Sequence, residues 1–143
     1  MTTHSTPKKV LQTMLKKDGF TKWMDLQIDE HREGYCRLHF YVRDEMLNGF
    51  SNVHGGILFS ACDSAFAFAC NSHGRITVAL DVSITFTRPA LSGERISVEA
   101  IEIHLSNKIG IYDIRAKNEK AQLVALFKGT AYRTGKEIIS KND

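Results

Sequence analysis

The chain has 143 residues, 43% hydrophobic and 24% charged, with a formal net charge of +3. That length and composition fit one globular domain over 1–143 and exclude disordered, collagen-like and coiled-coil classes. The mild charge admits an anionic small molecule but lacks the basic concentration that argues for nucleic acid.

The first twenty residues, MTTHSTPKKVLQTMLKKDGF, hold no long apolar run of the kind a secretory signal needs. Val10, Leu11, Met14 and Leu15 recur at helical spacing, so residues 1–20 read as a helical extension stopped by Gly19 at its C-cap. A strand or strand pair is predicted over 23–42. Tyr35, Arg37, His39 and Tyr41 alternate there with Cys36, Leu38, Phe40 and Val42, and Gly34–Tyr35 forms the turn. Residues 43–54, RDEMLNGFSNVH, are a loop rich in Asn, Gly and Ser. One long helix follows over 55–72 and ends at His73–Gly74. Four strands come next: 76–87, closed by Arg88–Pro89, then 95–105, 109–118 and 122–134, joined by hairpin-length turns. The tail, 136–143, is polar and expected to fray.

Strands, one helix and then a run of strands predict an α+β fold. A helix that is apolar nearly all round must be covered on most sides, and a sheet curling around it does this. Its apolar stretch, broken by Ser60, Asp63 and Ser64, is too short to span a bilayer. Asn71 and His73 are expected to cap its C-terminus, and Phe66 and Phe68 to lie in the core.

Cys36, Cys62 and Cys70 are odd in number and form no CxxC pair, which fits reduced thiols in a cytoplasmic protein. His4, His31 and His104 are scattered without ligand spacing, so no metal is expected. Motifs for dinucleotides, phosphoryl transfer and the serine nucleophile elbow are absent.

The stretch NVHGGILFSACDSAFAFACNSHG, 52–74, carries the chemistry. The first four N–H groups of a helix lack intrahelical partners, and the dipole adds roughly half a positive charge there. Gly55 and Gly56 have no Cβ, so a carbonyl oxygen can approach those donors closely. Such preorganised donors are what an oxyanion hole requires. Asp63 sits eight residues further on, roughly 12 Å along the axis. A carboxylate among Phe, Ala, Cys and Leu is costly unless paired or neutralised; Arg88 or Arg115 could pair with it as a purely structural acid. Asn48 could equally be a turn residue before Gly49, and His54 a loop histidine bonded to its own turn.

These residues carry a resemblance. Asn48–Gly49, His54–Gly55–Gly56, the helix FSACDSAFAFACNSHG, the strand ending SITFTRPA and the segments SGERISVEA, IGIYDIRAKNE and VALFKGTAYR together resemble the PaaI-type acyl-CoA thioesterases of the hotdog-fold superfamily. The match spans roughly residues 40–135. It implies an antiparallel sheet wrapped around one central helix, and a homodimer with its sheets joined edge to edge and active sites at the interface. Such dimers commonly pair again into a homotetramer. The implied reaction is hydrolysis of an acyl-CoA, of phenylacetyl or hydroxylated aryl-acetyl type, to free acid and CoA, with no cofactor and no membrane or nucleic-acid partner.

The resemblance assigns the polarising role to the Gly55 N–H, with Asn48 placing substrate or water and His54 supporting the loop. Asp63, meeting the partner's Gly55 across antiparallel helices, acts as nucleophile or general base. Gly56, Ser64, Arg88, Pro89 and Lys108 are the expected substrate-binding residues, Arg88 and Lys108 by pairing with CoA phosphates; both could equally be solvated cations. The chain departs from the family pattern in GFSNV, 49–53, where Phe50 and Asn52 are expected to reshape the pocket mouth. Two alternatives share the fold: a non-catalytic acyl-CoA sensor and a hydratase or dehydratase using His54 with Asp63.

Overall fold

A computed structural model of the chain describes residues 5–139. Helix α1 (Ser5–Lys16) turns Val10 fully inward and rests Leu11, Met14 and Leu15 on the core, the face that the spacing predicts. Gly19 does not stop it. The helix ends at Lys16, and Asp18 Oδ1 accepts the Thr21 N–H at 2.9 Å to begin a second helix, α2 (Gly19–Met24). An aspartate at the N-cap outweighs the glycine signal here, so Trp23 is helical and the first strand starts later than predicted.

The strands are β1 (Gln27–Arg32), β2 (Tyr35–Tyr41), β3 (Arg75–Phe86), β4 (Arg95–Leu105), β5 (Ile109–Lys117) and β6 (Leu123–Glu137). They form one antiparallel sheet in the order β1-β2-β4-β5-β6-β3. The frayed tail is expected over 136–143; β6 runs to Glu137, and 140–143 lie outside the described residues, as does His4.

Between β2 and β3 the chain must cross from one side of the sheet to the opposite edge. Helix α3 (Gly55–Cys70) makes that crossing over the concave face. Its Leu58, Ala61, Cys62, Ala65, Phe66, Phe68 and Ala69 are buried against Leu38, Phe40, Ile96, Val98, Ile114 and Phe127. Small residues let the helix sit low on the sheet. At its tightest point a Cβ on Gly129 of β6 would lie 2.8 Å from the Phe66 ring. That ring also packs at 5.5 Å from Tyr112 and 5.9 Å from Phe127. Burying a side chain of that size contributes about 2–3 kcal/mol.

The far end of α3 is pinned by polar contacts. Asn71 is the C-cap, its amide donating to the carbonyls of Ala67 and Thr77 and accepting from the Thr77 N–H. His73 is not a cap: it pairs with Glu102 at 2.8 Å, which also accepts from Tyr112 Oη at 2.6 Å. Ser72 Oγ accepts the Gly34 N–H, tying the β1–β2 turn to the helix.

One stripe of α3 is left uncovered or only half-covered, an exposed Gly56 followed by half-buried Ser60, Asp63, Ser64 and Ala67, at the i, i+4, i+7, i+8, i+11 positions of a single face. Beside it runs edge strand β3, bonded only to β6, with Val78 and Leu80 exposed.

Candidate active site

The loop before α3 is built so that the helix starts abruptly. Asn48 Oδ1 accepts the N–H groups of Phe50 and Asn52, at 2.9 and 3.2 Å, and Ser51 takes a left-handed φ of 61°. The Val53 N–H donates to the Ala90 carbonyl and the His54 N–H to the Met46 carbonyl. These bonds set His54 as N-cap, where its Nδ1 accepts the Gly56 N–H at 2.8 Å and its carbonyl accepts the Ile57 N–H at 2.9 Å. With Nδ1 accepting, a neutral His54 carries its proton on Nε2.

That accounts for the second and third N–H groups of the helix. The first, on Gly55, has no acceptor among the described residues. It lies in a cleft of about 390 Å³ lined by Asn48, Gly55, Leu58, Phe86, Arg88 and Pro89. A polar donor at the positive end of a sixteen-residue helix, open to a cleft, is a place where a carbonyl oxygen gains charge at low cost. Asn48 serves as turn residue and cleft residue together: two N–H groups occupy its oxygen, and its Nδ2 has no partner among the described residues.

Asp63 is not in this cleft. It sits on the half-covered stripe of α3, with no ion pair or hydrogen bond among the described residues, and burial raises its carboxyl above the ordinary 3.8. The structural partners considered for it do not serve: Arg115 bonds Asp113 at 3.0 Å, and Arg88 lines the cleft. No hydrogen bond joins Ser64 to it. Its neighbours Cys62 and Cys70 are thiols pushed up to about 12, first by burial and then by the nearby Asp63 charge, so neither is a thiolate near neutral pH.

Of the residues singled out by sequence, the structure therefore gathers Asn48, Gly55, Arg88 and Pro89 in one cleft, with His54 and Gly56 immediately behind it. Lys108 does not join them within one chain. Its turn sits beside Arg75, whose Nη2 donates to the Asn107 carbonyl at 2.6 Å. The twelve residues of β3 separate that end from Phe86, on the order of 35 Å of strand. Phe86 is the wall residue that sequence reasoning did not single out. The signal was present in the FTRPA strand end, but alternation alone does not say which strand end meets a helix N-terminus. Among the described residues no three His, Cys, Asp or Glu side chains gather as metal ligands, and no helix is long and apolar enough to cross a membrane.

Residues 50–125 match the thioesterase superfamily. A relative from Archaeoglobus fulgidus is 42% identical over 92% of this chain and 85% of its own. The acyl-coenzyme A thioesterase PaaI of Escherichia coli is 38% identical over 87% of this chain and 89% of its own. The solved structure of the E. coli PaaI protein, from the phenylacetic acid degradation operon, covers 95% of this chain and 99% of its own at a TM-score of 0.92 and 34% identity. The sheet wrapped around one helix is the hotdog fold of that protein.

Proposed function

The chain belongs to the thioesterase superfamily, and we propose that it works at the N-terminus of α3, on acyl-CoA thioesters of the phenylacetyl type. As a PaaI-type thioester hydrolase it splits an acyl-CoA into free acid and CoA. The observation that carries the site is the Gly55 N–H, left without an acceptor in a cleft beside Asn48. The thioester carbonyl accepts from that N–H, and the Asn48 amide holds the substrate or a water. Phe86 in the cleft wall and the E. coli protein's place in a phenylacetic acid operon favour an aromatic acyl group.

The acid comes from a second copy. Asp63 stands roughly 12 Å along its helix from Gly55, unpaired on a half-covered face beside an edge strand with open hydrogen-bonding groups. Pairing two β3 edges antiparallel covers Val78 and Leu80 and carries each Asp63 toward the other chain's Gly55. In one route the carboxylate removes a proton from water, whose oxygen attacks the carbonyl carbon. The C–S bond then breaks, and the thiolate takes the proton. In the other, the carboxylate attacks directly, CoA leaves, and water opens the resulting anhydride. Either route needs only water. Oxygen-18 from solvent entering the Asp63 carboxylate in a single turnover marks the second.

A free-thiol assay over short-chain, long-chain and phenylacetyl CoA thioesters, wild type beside Asp63→Ala, tests the reading. Phenylacetyl-CoA should be turned over best, and Asp63→Ala should lose at least 10³-fold. No turnover of any thioester would sink the reaction; equal turnover by both proteins would sink the role of Asp63.

A further inference from the structure

The positive charge of the chain is unevenly placed. Helices α1 and α2, residues 5–24, hold five lysines against one acid, Asp18, a surplus of four charges where the whole chain totals +3. The remainder is therefore slightly negative. Lys8, Lys9, Lys16 and Lys17 are exposed on the side of α1 turned away from Val10 and Met14, and Lys22 is exposed on α2. Among the described residues none of the five makes an ion pair. Lys16 and Lys17 complement the negative end of the helix dipole, but Lys8 and Lys9 lie near its positive end, where α1 has no acid to balance them. Helix stability does not account for that pair.

Beside these cations the surface turns aromatic. Thr21 and Met24 bury one side of α2. Phe20 and Trp23 stand on the other, 37% and 51% exposed, with ring centroids 6.1 Å apart. The pair is held firmly: Asp18 caps the helix, the Arg43 guanidinium lies 5.1 Å over the Trp23 ring, and its Nη2 donates to the Trp23 carbonyl at 2.8 Å. The acids nearby are engaged, Asp25 accepting from Gln27 and Glu45 pairing with Arg43, both at 2.6 Å. The uncommitted charge of this surface belongs to the lysines.

The residue types select the occupant. Protein–protein interfaces are depleted in Lys, and a second copy docking here would set like charge against like. Exposed Trp and Phe flanked by lysines suit the headgroup zone of a bilayer, where an amphipathic ring sits at the boundary and long lysine stems reach lipid phosphates. We propose that α1 and α2 dock on an anionic lipid surface, with Phe20 and Trp23 among the headgroups and Lys16, Lys17 and Lys22 on their phosphates. The contact is peripheral and needs no membrane-crossing helix; it departs from the absence of a membrane partner that the resemblance implies. The docking end is also the end of the cleft, since β1 begins where β2 and β3 finish.

Trp23 is the only tryptophan in the chain, so its fluorescence reports the contact directly. The full chain is titrated with vesicles of phosphatidylcholine alone, and of phosphatidylcholine with phosphatidylserine at two to one. The mixed vesicles should sediment the protein and shift Trp23 emission to the blue, and rising salt should release it. Each surface lysine is worth roughly fivefold in partitioning, so Lys16→Gln/Lys17→Gln should bind at least tenfold more weakly while melting within a few degrees of wild type. Trp23→Ala should weaken sedimentation at least fivefold. No binding to the mixed vesicles, equal affinity for both kinds, or binding indifferent to the two lysines overturns the inference. So does sedimentation that leaves Trp23 emission unmoved. Polyglutamate binding as tightly as the mixed vesicles overturns it as well, and gives the surface to an acidic protein.

Discussion

Phe86 stands against Gly55 so closely that a Cβ at position 55 would lie 3.1 Å from its Cζ. A strand end and a helix start, 31 positions apart in the chain, thereby share one cleft wall. Any side chain at 55 must displace the ring or crowd the N–H that faces the cleft. Gly55→Ala should therefore lower kcat by on the order of 10²-fold, the loss typical of an oxyanion donor, with a melting temperature close to wild type. Steady-state kinetics beside a thermal melt checks this; a rate within threefold of wild type would remove the Gly55 N–H from the mechanism.

His54 bonds Gly56 through Nδ1, and that cap is the one hydrogen bond its side chain makes among the described residues. Losing an N-cap costs about 1 kcal/mol. His54→Ala should melt a few degrees lower with a modest fall in kcat. His54→Asn, which supplies an acceptor at the same position, should recover most of both. A His54→Ala enzyme as impaired as Asp63→Ala would instead place His54 in proton transfer.

Burial raises the Asp63 carboxyl from 3.8, so the folded state binds its proton more tightly than the unfolded chain. Its contribution to stability is fully present below 3.8 and is lost as pH rises through the raised folded value. Asp63→Asn should then melt slightly above wild type at pH 7, with the difference vanishing near pH 3. Melting curves across that range measure it. On the proposed mechanism, which needs the carboxylate deprotonated, the acid limb of kcat/KM should likewise lie above the ordinary carboxylate range.

Leu80 is the bulged residue of β3, 60% exposed, where the register with β6 shifts between Ala79 and Asp81. Leu80→Lys should drive the protein toward monomer in light scattering and abolish turnover with it. A complementary check mixes Asp63→Asn chains with Gly55→Ala chains. Each homodimer should be nearly inactive, while the mixed dimer regains one working site. Failure to regain activity in demonstrably mixed dimers would return the acid and the donor to a single chain.

The same bulge shows where reading the chain runs out. Ile76, Val78, Leu80, Val82, Ile84 and Phe86 alternate without a break, and period-2 reasoning puts them all on one face. The structure does not. Leu80 bulges out of the ladder, so Val78 lies outward while Val82 and Ile84 return to the core. A bulge is decided by the partner strand's register and carries no residue signature here. The error at Gly19 has the same character: Asp18 offered a competing cap, and local rules alone did not rank the two.

By contrast, the helix over 55–70, the strands around it and the donor-bearing His-Gly-Gly turn were legible from the chain alone. Their causes are local: apolar content, glycine at a helix start, turn residues between alternating runs. Asp63 was also marked there, as a carboxylate set among apolar residues a little over two turns from the helix N-terminus. Only the tertiary structure decided that Phe86 walls the Gly55 cleft, that Lys108 lies at the far end of β3 from it, and that Asp63 stays unpaired on a half-covered face. Those are relations between segments far apart in sequence. They follow from the strand order and from α3 crossing the sheet, and spacing along one chain carries no information about either.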